Sequence, residues 1–198
     1  MKIIGKNSIS QILAYILQAF FVLSAIHLVY EIVAHTVLFY KFHTGSQLFS
    51  ETFILGNEVG WENNRWTNTL VNGLKFRINY PFTSQQLVTG FYEPVQIFSN
   101  LLAFTYFTLF FLCAFRFFRE ISSDRVFSPD AGKWLFRFGI VNFLFASILL
   151  ISVLIFFQVT PFALLQVVVI GLVGLIVLFA VEFYKKAVEL QSQTDLTI

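Results

Sequence analysis

A chain of 198 residues in which 57% are hydrophobic and only 12% carry charge departs from the soluble globular norm, where about a quarter of residues are charged. The apolar excess is spread along the length, which excludes a soluble domain on a single anchor, and a formal net charge of +2 gives no footing for a nucleic-acid binder. One cysteine, Cys113, excludes an intrachain disulfide.

The first element follows Lys2 and Lys6 and is uncharged from Asn7 to Tyr30. That run is longer than the apolar core of a signal peptide, about 7–15 residues, so it reads as an uncleaved first span, about 9–33. The second span, about 94–117, opens on Pro94, whose missing N–H costs nothing in a first helical turn. From Phe138 to Val181 there is no charge at all. This block is too long for one crossing and right for two, and Thr160-Pro161 divides it as an N-cap followed by a first-turn proline. The third span, about 134–158, is introduced by Ser128-Pro129-Asp130, a cap, a proline and a carboxylate at the positive end of the helix dipole. The fourth, about 161–184, gives about 31 Å of helix from Pro161 to Val181, enough for a hydrocarbon core of about 30 Å. The 27 phenylalanines are read as lipid-facing and packing side chains.

Residues 39–93 form the only sizeable polar segment between spans. Leu74 to Tyr80 alternates apolar and polar, the period of a half-buried strand, between Asn72-Gly73 and Pro81. A second strand is expected around Glu51–Leu55. The predicted fold is therefore an all-α four-helix membrane bundle with a small strand-containing extracytoplasmic cap of two to four strands between helices 1 and 2. Trp61, Trp66, Phe91 and Tyr92 are expected at the headgroup level. Lys and Arg set the orientation. Lys2, Lys6, Arg116, Arg119, Arg125, Lys133, Arg137, Lys185 and Lys186 fall on one side, against Lys41, Arg65, Lys75 and Arg77 on the other. By the positive-inside rule both termini, the loop 118–133 and the tail 185–198 face the cytoplasm.

The sharpest candidate site is His27, Glu31 and His35, spaced by four and hence on one helix face. Ionisable groups within a span are functional candidates. All three cannot bind one ion, because His27 and His35 stand about 12 Å apart along the axis while ligand bonds are about 2 Å. An adjacent pair leaves a weak ion site, and a proton-sensing role follows from the ordinary histidine range. The plainer expectation is that the three pair with one another and with the cap. Gln18, Asn100, Asn142, Gln158 and Gln166 read as interhelical hydrogen-bond partners, and Gly171 and Gly174 as a flat packing surface. The basic residues from Arg116 to Arg137 read as topology determinants, with attraction of anionic lipid as the alternative. No catalytic triad, phosphate loop or metal-ligand spacing can be assembled, so neither an enzyme nor a cofactor is expected.

Ala187-Val188-Glu189-Leu190-Gln191 followed by Asp195-Leu196-Thr197-Ile198 resembles the A-x-E-L-Q…D-L-T-I close of a bacterial membrane family known only as domain of unknown function 2975. Val126-Phe127-Ser128-Pro129 through Trp134-Leu135-Phe136-Arg137-Phe138-Gly139 resembles that family's P-F-T…L-R-x-I-G stretch, although here proline follows Phe-Ser instead of preceding Phe. The resemblance implies a bacterial inner-membrane protein without established activity, often encoded beside a small Cro/CI-like helix-turn-helix regulator. That implies a sensor or membrane partner of such a regulator, docking it through Glu189, Leu190, Asp195, Leu196 and Ile198. The alternatives are an accessory subunit packing beside a larger membrane complex and a small carrier or immunity-type envelope protein.

Overall fold

The structure, a computed structural model, describes residues 2–57, 59, 73–123, 127–156 and 160–195, with residues 194 and 195 described by backbone alone. In chain order the elements are α1 (Ile9–Thr44), β1 (Phe53–Gly56), β2 (Lys75–Asn79), β3 (Gln86–Phe91), α2 (Pro94–Ile121), α3 (Pro129–Phe156) and α4 (Pro161–Asp195). All four helices are long and apolar enough to cross a membrane. Their outward faces confirm the solvent: Phe162, Phe179 and Phe183 are each more than two-thirds exposed on α4 alone, which water would not tolerate over so large a patch. This is a four-helix membrane fold with a three-stranded sheet between the first two helices.

Two compact units emerge, Met1–Ala25 with Thr105–Ile198, and Ile26–Phe104. In the first, α3 and α4 form an antiparallel hairpin. The caps stand where the sequence placed them: the Ala131 N–H donates to Ser128 Oγ at 3.1 Å and the Ala163 N–H to Thr160 Oγ1 at 3.2 Å. Close approach of the two helices is allowed by glycine on both sides. A Cβ at Gly174 would stand 2.9 Å from the Phe143 backbone nitrogen and 3.1 Å from the Gly139 carbonyl oxygen. Buried Asn142 donates to the Phe138 carbonyl at 2.8 Å and accepts from the Tyr106 hydroxyl at 2.8 Å, tying α2 to α3. Rings fill the remaining seams, with Phe110 on Phe138 and Tyr106 on Phe145. Tyr106→Phe removes a side-chain hydrogen bond between α2 and α3, and should lower stability in detergent by about 1 kcal/mol, read from thermal unfolding against wild type.

The N-terminal segment of this unit folds back on the end of α2. The Gly5 N–H donates to the Ile121 carbonyl at 3.1 Å, one of the helix's unpaired terminal acceptors, and the Ser10 and Ser122 hydroxyls meet at 3.3 Å.

In the second unit the sheet is antiparallel in the order β1-β2-β3, with Phe53 opposite Ile78 and Ile78 opposite Val88. Tyr30, Ala34, Val37 and Leu38 recur at helical spacing, and this stripe of α1 covers one face of the sheet. Phe53, Phe76 and Ile78 complete the core, Phe76 and Ile78 with no exposed surface. Asn79 is buried but satisfied: its Nδ2 donates to the Glu51 carbonyl, its Oδ1 accepts from Arg77 Nε, and its carbonyl accepts from Tyr30. Helix α1 runs well past its uncharged segment and stops at Gly45, whose φ of +68° suits the left-handed residue after a helix and whose N–H bonds back to the Lys41 carbonyl at 2.9 Å. The alternating segment 74–80 forms β2 and the segment near 51–55 forms β1. The three strands fall within the expected two to four, although the position of β3 was not located from the sequence.

Candidate functional site

Spacing by four on α1 places His27, Glu31 and His35 along one line beside the stripe that holds the sheet. Glu31 has no exposed surface, and each of its carboxylate oxygens faces a different imidazole. Oε1 lies 3.4 Å from His27 Nε2 and Oε2 lies 3.1 Å from His35 Nε2. None of these approaches has hydrogen-bonding angles, and His35 Nδ1 is likewise buried without a hydrogen-bond partner. The rings are held from outside the helix. His35 meets Phe76 of β2 edge-on with centroids 5.1 Å apart, and His27 lies 4.1 Å from the Phe104 ring of α2. Tyr30, the nearest other titratable side chain of α1, turns its hydroxyl to the Asn79 carbonyl.

A buried carboxylate is costly unless a positive group compensates it. The groups that stand beside the Glu31 carboxylate are the two imidazoles. Among the described residues no group of three or more His, Cys, Asp or Glu side chains could hold a metal ion.

The other sequence-derived candidates are scattered. Glu189 and Leu190 lie exposed on α4; Asp195 ends that helix with its side chain undescribed, and Leu196 and Ile198 lie outside the described residues. Trp61, Trp66, Arg125 and Gln158 also lie outside them. Tyr92 packs on the sheet core and against Phe42, and burial pushes its phenol up. It lines an apolar groove of about 760 Å³ with Phe39, Phe42, Ile97 and Phe98.

Sequence reasoning missed a polar groove of about 380 Å³ in the other unit, lined by Gln11, Tyr15 and Gln18 of α1, by Phe115 and Arg119 of α2, and by Ser122 just after it. Its one legible trace was the recurrence of Gln11, Tyr15 and Gln18 on one face of an otherwise apolar helix.

Residues 61–198 match a family described as protein of unknown function, DUF2975. No curated protein and no solved structure matches the chain. The family match takes in β2, β3 and helices α2 to α4, and it leaves His27, Glu31 and His35 outside its bounds. Since it covers more than half of the chain, and four membrane-capable helices accompany it, this multi-pass membrane protein belongs to the DUF2975 family.

Proposed function

We propose that the protein is a proton-responsive sensor of the bacterial inner membrane, with both termini cytoplasmic, that holds a small helix-turn-helix regulator at the inner face. The observation that carries this reading is the wholly buried Glu31 between two imidazoles, a group whose charge balance changes with a single proton. The excess of Lys and Arg at the end bearing both termini supports the orientation. The exposed turns around Glu189 and Leu190, continuous with the last span, offer a dock for the regulator. We infer a non-enzymatic role, since a sensor of this kind needs no bond to be made or broken.

The test is a detergent pull-down of the full chain, of a chain lacking residues 189–198, and of Glu31→Gln, each followed by mass spectrometry at pH 5.5 and 7.5. The full chain should recover a small soluble DNA-binding protein in a pH-dependent amount. The truncated chain should lose it, and Glu31→Gln should recover it equally at both pH values. Recovery of no such regulator by the full chain overturns the proposal. Phe162, Phe179 and Phe183, broadly exposed along α4, favour a second reading as an accessory subunit seated against a larger membrane complex. Co-purification of such a complex, indifferent to the tail deletion, would select it.

A further inference from the structure

Arg119 opens onto the polar groove between the first turns of α1 and the last turns of α2. Its guanidinium lies 6.0 Å from the centre of the Phe115 ring, and that of Arg116 lies 5.7 Å from the same ring. Arg116 also sits 5.5 Å over Trp134, on which Arg137 stacks at 4.4 Å. Three guanidiniums thus follow one another across two aromatic rings, and among the described residues none has a carboxylate within ion-pairing distance. Asp130 pairs with Lys133 at 2.8 Å and Glu182 with Lys185 at 2.7 Å. The Arg116 Nε is buried without a hydrogen-bond partner.

The groove has the remaining features of an anion site. Gln18 and Tyr15 bring polar groups to its α1 wall, Arg119 brings its guanidinium from α2, and Ala14 and Phe115 supply apolar surface. It stands where two membrane-capable helices turn polar, so whatever occupies it shares that depth with lipid headgroups. Like charges in a medium of reduced dielectric repel, and a bound anion relieves them.

We propose that this groove binds the phosphate of an anionic phospholipid, with Arg119 as its principal ligand, Gln18 as a hydrogen-bond donor, and the acyl chains continuing along the apolar flanks of α1 and α2. The site is independent of the proton-sensing reading, since it uses none of its residues. A phosphodiester accepts forked donation from a guanidinium, which lysine, a point charge, reproduces only in part.

The experiment is native mass spectrometry of the full chain in detergent with equimolar phosphatidylglycerol and phosphatidylcholine. Wild type should retain phosphatidylglycerol about tenfold over phosphatidylcholine, the discrimination expected of one charge-assisted contact. Arg119→Gln should bring the ratio near one, Arg119→Lys should leave an intermediate ratio, and Gln18→Leu should lower it about threefold. Lys186→Gln removes the same charge outside the cluster and the groove lining and should stay within twofold of wild type. Equal retention of the two lipids by wild type, or equal losses in Arg119→Gln and Lys186→Gln, overturns the proposal. Displacement of bound lipid by millimolar glycerol 3-phosphate overturns the lipid assignment in favour of a soluble phosphate ester. Should Arg119→Gln fail to fold, wild-type thermal stability decides: stabilisation by phosphatidylglycerol alone supports the site, and equal stabilisation by both lipids overturns it.

Discussion

Gly174→Leu is expected to destabilise the α3–α4 hairpin by about 3 kcal/mol or to prevent its assembly, seen as a lowered unfolding temperature in detergent. The cause is local and steric. At this position even the first side-chain carbon meets backbone, at 2.9 Å from the Phe143 nitrogen and 3.1 Å from the Gly139 oxygen, and backbone cannot swing away as a side-chain tip can. Relief requires the helices to part, and the packing around Asn142 would part with them. The neighbouring glycine is the control. A Cβ at Gly171 would lie 3.6 Å from that of Ala146, ordinary contact, so Gly171→Ala should leave the unfolding temperature unchanged or slightly raised. Gly174→Ala should fall between, at about 1–2 kcal/mol. If Gly174→Ala proves as mild as Gly171→Ala, the glycine-mediated approach of the two helices is wrong.

Phe76→Ala should have the larger effect on the sheet-bearing unit, about 3–5 kcal/mol, the range for deleting a fully enclosed aromatic ring. Among the described residues Phe76 is the largest side chain with no exposed surface, and it packs with Ala34, Leu38, Phe53 and Ile78. Its ring also supports His35, so the cavity would open beside the buried carboxylate. The readout is limited proteolysis with trypsin, which should cut after Lys75 and Arg77 in β2 far sooner than in wild type. Phe82 provides the contrast within the same unit. It is fully exposed in the turn between β2 and β3, with φ +60°, and Phe82→Ser should leave the cleavage rate unchanged. Comparable sensitivity in both variants would mean that the sheet does not rest on Phe76.

How much of this was legible follows from the range of each signal. The helices could be located because a bilayer demands long charge-free runs, and their starts because Ser128, Thr160 and the prolines after them act on their own backbone. Strand β2 showed through the alternation of Leu74 to Tyr80. Strand β3 did not, since Gln86–Phe91 lacks that alternation and holds Gly90. That glycine is explained by a neighbour in space, the Phe76 ring, which would stand 3.0 Å from its Cβ. The shared face of His27, Glu31 and His35 could be read from spacing alone, but the partners that fix their rings, Phe76 and Phe104, come from distant elements. The same holds for the polar groove: Gln11 and Gln18 hinted at it, while Arg119 and Ser122 reach it only because α2 packs against α1 there.

Helix α4 is unbroken from Pro161 to Asp195, with neither proline nor glycine after Gly174 to act as a swivel. From Glu182 onward it continues for about 20 Å beyond its charge-free segment as a stiff rod. The outer turns therefore keep no bearing of their own. Turning the submerged half by the angle of one residue, about 100°, would carry Glu189 and Leu190 through the same arc, exchanging the flank shown to the water much as a key shows a different edge when its bow is twisted.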